Sequence, residues 1–284
     1  MRPSQLPEIR ELMSRDYRTD VQRLNELLNI RGDAGLEEIP PIPFTGDIDS
    51  MERGNCICLI GINPHFPALS RDAHEDEIAP TKEMIARFRN GEEGAYQNFI
   101  DSRLGYFRGD MANWVHYGKL AEGYAESFFP DEDYKSVWDG NAFAIDILPY
   151  WSTDTSKISD SRYRKNIDKD PALVLHQAMI SRLIEATQPC MIHVNGMKAG
   201  SPVNTRYCSS SLKKWKGHGM GRNLRFGHAS FGATVVPVMT HNQFGQWTSH
   251  RKYWPGFVDA WSWSGCDAAA ESLRLSPDLL AAEG

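Results

Sequence analysis

A chain of 284 residues, 41% hydrophobic and 24% charged, has an ordinary globular composition, has room for one or two domains, and can bury a core without disulfide or metal staples. No apolar run reaches the ~18 residues that a bilayer span requires, and the charged first stretch lacks the apolar centre of a secretory signal, so a cytoplasmic protein is expected. A net charge of −6 argues, as a total, against a polyanionic partner.

In chain order, residues 6 to 30 read as a helix, with Leu12, Leu24, Leu27 and Leu28 at helical spacings and Gly32 as a stop. It forms an N-terminal helical extension over about residues 1–50, the rest of which is a Pro-rich loop (Pro40, Pro41, Pro43). Residues 56 to 60 are a short apolar run ending in Gly61, the pattern of a buried parallel strand. Residues 64 to 80 read as a loop rich in Pro, His and Asp. Residues 81 to 129 read as largely helical, with Phe88, Tyr96, Phe99, Trp114 and Tyr117 as packing residues. A second apolar run covers 142 to 148, interrupted by Asp146. A polar loop over 152 to 170 precedes an amphipathic helix over 172 to 187. The third strand is 190 to 194, followed by Asn195-Gly196. Residues 198 to 228 read as irregular, basic and Gly-rich, and the fourth strand is 233 to 240, followed by His241. Trp247, Trp254, Trp261 and Trp263 crowd the segment beyond.

Strands alternating with helices predict a three-layer α/β/α fold in one domain, with a central four-stranded parallel sheet. Cys56, Cys58, Cys190, Cys208 and Cys266 contain no CxxC pair, so they read as small buried residues rather than the ligands of a zinc or an iron–sulfur cofactor.

The charge is unevenly spread. Residues 186 to 258 contain no Asp or Glu, but nine basic residues: Lys198, Arg206, Lys213, Lys214, Lys216, Arg222, Arg225, Arg251 and Lys252. The rest of the chain holds 22 basic against 37 acidic residues. One cationic face on an otherwise acidic molecule suits a polyanion.

In doubly wound folds, ligands bind outside the carboxyl ends of the strands. Three polar residues fall there. Asn63 stands before Pro64, which holds it extended. Its amide can orient a water, or it can simply cap the strand. Asp146 interrupts an apolar run, and a carboxylate there is costly unless paired or protonated. It reads either as a salt bridge to Arg162 or Arg164, or as a hydrogen-bonding group facing a site. His241 stands beside Asn242, Gln243 and Phe244.

Gly61-Ile-Asn-Pro64, the run from Phe143 to Pro149, and Thr240-His-Asn-Gln-Phe-Gly245 together resemble, in order and spacing, the motifs of the uracil-DNA glycosylase superfamily over roughly residues 54 to 250. The resemblance implies a monofunctional, metal-free DNA glycosylase that flips a base out of the stack. Asn63 would hold the attacking water or stabilise the sugar cation, and His241 would hydrogen-bond O2 of the departing base. Asp146 and His65 would face the base, Phe66 or Phe88 would stack on it, and Gln243 or Phe244 would fill the gap it leaves. Lys213, Lys214, Lys216, Arg222, Arg225, Arg251 and Asn242 would hold the DNA, and Asn195 would open a turn or helix whose N–H groups meet a phosphate.

The chain departs from that pattern where the family has His-Pro-Ser-Pro and here Thr240 to Gly245 stand, and where a base-reading Asn is replaced by Asp146. A carboxylate only accepts, which suits an exocyclic amine rather than uracil O4. The expected substrate is therefore a modified cytosine, such as the glucosylated hydroxymethylcytosine of phage DNA, on which some relatives act in phage defence. Three other readings stand beside it: a uracil or mismatch glycosylase of base-excision repair, a metal-dependent hydrolase using Asp72, His74, Glu75, Asp76 or Glu77, and a non-catalytic nucleic-acid-binding module stacking bases on its tryptophans.

Overall fold

The computed structural model describes residues 1–30, 35–64, 71–108, 114–128, 131–208, 212–214 and 225–241. His65, Phe66, Lys216, Arg222, Asn242, Gln243, Phe244, Arg251 and the tryptophan-rich segment lie outside them.

The centre is a mixed, mostly parallel sheet in the order β2-β1-β3-β6-β5-β4. Strands β1 (Ile57–Gly61), β2 (Ala142–Asp146), β3 (Met191–Asn195) and β6 (Thr234–His241) run parallel. β5 (Arg225–Phe231) pairs antiparallel with β6, and the two-residue β4 (Lys213–Lys214) pairs antiparallel with β5 at the edge. The four expected parallel strands are thus present, each within a residue or two of its expected bounds, but the sheet does not stop at them.

The extra strands fall in the segment expected to be irregular. β5 and β6 form a hairpin whose register, Phe231 opposite Thr234, leaves Gly232-Ala233 as a two-residue turn. Gly232 takes φ +56° there, which a glycine adopts without strain. The same segment also contains helix α9 (Met197–Tyr207), despite Gly200 and Pro202. Packing overrides propensity: Ala199 and Val203 are fully buried, Tyr207 stacks on Phe231 at 4.3 Å, and Gly200 lies against Thr240, where a Cβ would come within 3.3 Å.

Three further corrections concern helices. The N-terminal helix is two helices, α1 (Pro7–Ser14) and α2 (Tyr17–Leu28), which break at Arg15-Asp16 and end at Asn29 with φ 54°. The loop expected up to residue 80 ends sooner, because α3 (Arg71–Arg89) carries Pro80 within it. The polar loop over 152 to 170 contains α7 (Asp160–Asn166), capped by Ser159. Helices α4 (Glu93–Leu104), α5 (Trp114–Phe128) and α8 (Pro171–Thr187) fall where helices were expected, whereas α6 (Tyr134–Asn141), capped by Asp133, lies beyond the expected helical stretch.

Successive strand residues face opposite layers. Cys58, Ile60, Phe143, Ile145, Ile192, Val194, Val236 and Val238 share one hydrophobic cluster with Ile180, Leu183 and Ile184 of α8 and with Ala199 and Val203 of α9. Ile9, Leu12, Met13, Val21 and Leu24 of α1 and α2 join the same cluster. Each buried Val, Leu, Ile, Met or Phe among them contributes roughly 1.5–3 kcal/mol. The opposite face carries His193, whose Nδ1 meets the Tyr124 hydroxyl of α5 at 2.8 Å, so α5 covers that side. Cys56, Cys58 and Cys190 are buried and form no disulfide among the described residues, and burial pushes the Cys56 thiol up to about 12. No helix among the described residues is long and apolar enough to cross a membrane.

Candidate functional site

The register aligns four strand ends. Gly61 pairs with Asp146 and Asn195 with His241, while Ile60 pairs with Val194, one step before Gly61 and Asn195. Asp146, Gly61, Asn195 and His241 therefore form one row across β2, β1, β3 and β6. In β1, β2 and β3 alike, the first four residues are buried and only the last is accessible. The strand order changes direction between β1 and β3, and that switch point opens a crevice at the carboxyl ends.

Asn63 stands two residues beyond this row and is buried. Its Nδ2 donates to the Pro64 carbonyl (2.9 Å), the Tyr150 carbonyl (3.0 Å) and Ser152 Oγ (2.9 Å). Two of those partners are carbonyls, which only accept, so the orientation of the amide is fixed. Among the described residues, its Oδ1 is buried with no hydrogen-bond partner. A buried open acceptor costs about 1–3 kcal/mol and calls for a donor from outside, such as a water or a ligand N–H.

Asp146 is half-buried, and its carboxyl lies over Gly61, where a Cβ would collide with Oδ1. Gly61 is a glycine because that carboxylate occupies the space of a side chain. Burial pushes the Asp146 carboxyl up to about 7. No cation pairs with it among the described residues, and Arg164 is turned to Asp160 at 3.3 Å. The salt-bridge reading of Asp146 is therefore replaced by an acid that sits between its protonated and ionised forms near neutrality.

The backbone at this point is pinned by residues that the sequence reading did not single out. His176 Nε2 donates to the Asp146 carbonyl (2.7 Å), and the Ile147 carbonyl accepts from Tyr163 Oη (2.5 Å) and Gln177 Nε2 (3.1 Å). Tyr207 Oη donates to Gln177 Oε1 (2.6 Å). Burial pushes His176 down to about 4, so its ring is neutral. The signal was present: His176 and Gln177 fall on the stripe of α8 made by Leu173, Ile180 and Leu183, where apolar residues belong.

α5 supplies the wall on the His193 side. Tyr117 and Tyr124 are seven residues apart, two turns and about 10 Å along one helix face. Trp138 lies against both, at 6.3 and 5.9 Å between ring centroids. Tyr124 meets His193, two residues inside the strand-end row. Tyr117 is half-buried, and both burial and the neighbouring Asp146 carboxylate hold its phenol well above the usual range.

Among the expected polyanion contacts, Arg225 is exposed and pairs in register with Thr240, next to His241. The backbone of Lys214 pairs with Arg225 and that of Lys213 with Phe226, so the β4 edge reaches the same end of the sheet. Asn195 is half-buried and ends β3, and Gly196, at φ 97°, opens α9. Lys198 and Arg206 are engaged elsewhere. Lys198 Nζ donates to the carbonyls of Thr155 (2.9 Å), Ser156 (2.5 Å) and Ile158 (3.3 Å), and Arg206 pairs with Asp168. Phe88 is core, packed on Tyr96 at 4.7 Å, so it is withdrawn as a stacking platform. Glu77, from the acidic run, is held by Arg103 at 2.9 Å. No group of three or more potential metal ligands occurs among the described residues.

No family model matches the chain, and no curated protein does. Among solved structures, the chain is similar to a domain of unknown function (DUF1537) from Bordetella bronchiseptica, determined with bound citrate as a domain-swapped dimer. The identity is 13% and the TM-score 0.29, with 78% of this chain and 42% of that chain covered. The match thus spans less than half the length of that protein, and at this level of likeness it carries no argument about the site.

Proposed function

We propose that the protein is a monofunctional DNA glycosylase that hydrolyses the N-glycosidic bond of an amino-bearing base, a modified cytosine such as glucosylated hydroxymethylcytosine, and leaves an abasic site. The observation that carries this reading is the pair of acceptors at the switch point: the buried, unpartnered Oδ1 of Asn63 and the uncompensated carboxyl of Asp146. Neither group is used in holding the fold together through an ion pair. Both accept hydrogen bonds, which suits a water and an exocyclic amine.

In the reaction, the water oxygen forms the new bond to C1′ as the C1′–N bond breaks, and the bonding electrons leave with the base. Asn63 Oδ1 accepts from the attacking water, whose proton passes to solvent. Asp146 accepts from the exocyclic amine of the flipped base. The family likeness gives His241 the hydrogen bond to base O2 that spreads the charge of the leaving group. Its backbone ends β6 in the same row as Asp146. Arg225, with the β4 edge, supports phosphate binding beside that row, and DNA is the partner this reading requires.

The experiment is base release without added metal, from DNAs carrying uracil, cytosine, hydroxymethylcytosine or its glucosylated form. Release from modified-cytosine DNA alone is expected, with Asn63→Ala lowering it about 10²–10³-fold, the scale of a lost preorganised group. Release from uracil DNA alone would move the protein to the repair reading, and DNA binding with no release from any substrate would leave a binding module.

A further inference from the structure

The strand-end row does not by itself place Asn63, which stands beyond it. Its side chain is held by the strip of chain from Pro149 to Ser152, which follows the Asp146 end of β2. The strip lies beside the chain that leaves β1. The backbone amides of Ile147, Leu148 and Ser152 donate to the carbonyls of Gly61 (3.1 Å), Ile62 (3.0 Å) and Pro64 (3.0 Å). On that edge the Tyr150 carbonyl and Ser152 Oγ accept from Asn63 Nδ2. Tyr150 and Ser152 are both fully buried.

The other edge of the strip belongs to the N-terminal extension. The carbonyl of Pro149 accepts from Ile42 N (3.0 Å) and that of Trp151 from Glu37 N (2.8 Å), and Leu36 bridges Ser152 in antiparallel register. Leu36 is tied in turn to α2, because Asn25 exchanges two hydrogen bonds with its backbone (2.7 and 3.0 Å). Tyr150 Oη donates to Asp20 of the same helix (3.1 Å). Carbonyls alternate along an extended chain, so those of Pro149 and Trp151 serve the extension while that of Tyr150 serves Asn63. Tyr150 touches α2 with its side chain and Asn63 with its carbonyl. Ser152 touches Asn63 with its hydroxyl and pairs with Leu36 through its backbone.

The amide nitrogen carries two hydrogens, which Pro64, Tyr150 and Ser152 share among three acceptors. A flipped amide would turn Oδ1 onto two carbonyls, so the side chain has one orientation. Donating on one side also polarises the amide and makes Oδ1 the stronger acceptor. We propose that Tyr150 and Ser152 are positioning residues, through which the N-terminal extension fixes the Asn63 amide and presents its Oδ1 to a ligand. The extension is on this account a wall of the site rather than an addition to the domain. The proposal rests on the glycosylase reading only for the identity of that ligand, the attacking water. The positioning stands on the hydrogen bonds.

The test follows the Asn63 side-chain amide by heteronuclear NMR in the full chain with isotope-labelled asparagine, and reads how fast its hydrogens exchange with solvent. Slow exchange is expected in wild type. Tyr150→Phe keeps the ring and loses only the hydroxyl that meets Asp20. It is expected to speed the exchange about tenfold, the scale of one lost hydrogen bond. Ser152→Ala removes an acceptor of the amide itself and is expected to do the same, so the proposal stays open to refutation if Tyr150→Phe does not fold. Thr187→Val is the control for general loosening. It removes a buried hydrogen bond to the Leu183 carbonyl (2.8 Å) at the opposite, starting end of the strands, and is expected to leave the exchange unchanged. Unchanged exchange in both strip variants overturns the proposal, as does equal acceleration in Thr187→Val, which would make the effect one of stability alone. Base release from DNA, measured in parallel, judges the glycosylase reading separately. There Tyr150→Phe is expected to lower kcat with KM little changed, because Asn63 acts on the water rather than on the base. Release with exchange unmoved by either strip variant keeps the enzyme and removes the positioning. Exchange moved by the strip variants without any release keeps the positioning and removes the enzyme.

Discussion

Asp20 in α2 and Asp146 at the end of β2 are both carboxylates set into the interior near a tyrosine, and the fold treats them in opposite ways. Asp20 accepts from Arg15 Nε (2.6 Å) and Nη2 (2.7 Å), from Arg23 Nη2 (2.7 Å) and from Tyr150 Oη (3.1 Å). Burial alone would raise its pKa, but these donors outweigh it and hold the carboxyl below its usual range. Asp146 has the burial with no cation beside it among the described residues, and its carboxyl rises to about 7. A carboxylate that serves structure is saturated with donors. One left short of them is available to a ligand, and perturbed groups in a cleft mark functional sites for that reason.

The comparison breaks first at Asp20. Arg23 also grips Asp170 through Nε (2.6 Å), and Asp170 caps α8 by accepting from Ala172 N and Leu173 N. Asp20→Ala leaves the partly exposed Arg15 guanidinium and the buried Tyr150 hydroxyl without their acceptor, and leaves Arg23 with Asp170 alone. Removing one partner of a buried network costs about 3–5 kcal/mol, which for a chain of this size lowers Tm by about 6–15 °C. A thermal melt followed by circular dichroism reads this directly, and a shift of only a degree or two would put Asp20 among ordinary surface pairs. At Asp146, by contrast, removing the charge is expected to stabilise.

The sequence made the parallel strands legible because each is a short apolar run closed by a turn residue, and it made their ends legible because a strand-end rule needs only the strands. It placed Asn63 and Asp146 correctly on that rule. It could not show that Asn63 spends its amide nitrogen on Tyr150 and Ser152, nearly ninety residues away, since nothing local marks those partners. It missed α9 and β5 because Lys, Gly and Pro argue locally against helix and strand, while burial of Val203, Ala229 and Phe231 decides the matter at long range. His65, Phe66, His241 and the residues after it hold several of the roles that the resemblance implies, and among them the backbone of His241 alone falls within the described residues.

The second prediction sharpens the contrast through pH. A carboxyl raised in the folded state contributes stability that is complete below its unfolded value near 4 and is lost as the pH rises through about 7. Such a rise amounts to about 4 kcal/mol if unscreened, and the partial exposure of Asp146 reduces it to about 2 kcal/mol. Asp146→Asn keeps the shape and never ionises. Its Tm is expected to exceed that of wild type by about 4 °C at pH 8, with the gap closing toward pH 5. A gap of equal size at both values would mean that Asp146 is ionised throughout and that burial does not govern it.

The smallest effect belongs to His176, which holds the Asp146 carbonyl from behind the sheet. Its Nδ1 is buried with no partner among the described residues, so the protonated ring would carry a second N–H with no acceptor there, and burial keeps it neutral down to about 4. A base lowered in the folded state contributes stability that is present above its unfolded value near 6.5 and is lost as the pH falls toward 4. This slope runs opposite to that of Asp146 over nearly the same interval, so wild-type stability changes little between pH 5 and 7 because the two offset. His176→Gln retains one donor for the carbonyl and costs about 1 kcal/mol at pH 7, but it removes one of the two slopes. The variant should therefore grow more stable as the pH falls from 7 to 5, driven by Asp146 alone. Denaturant midpoints at pH 5, 6 and 7 decide the point: a variant whose stability tracks wild type across that range would show that His176 and Asp146 are not the opposed pair that sets it.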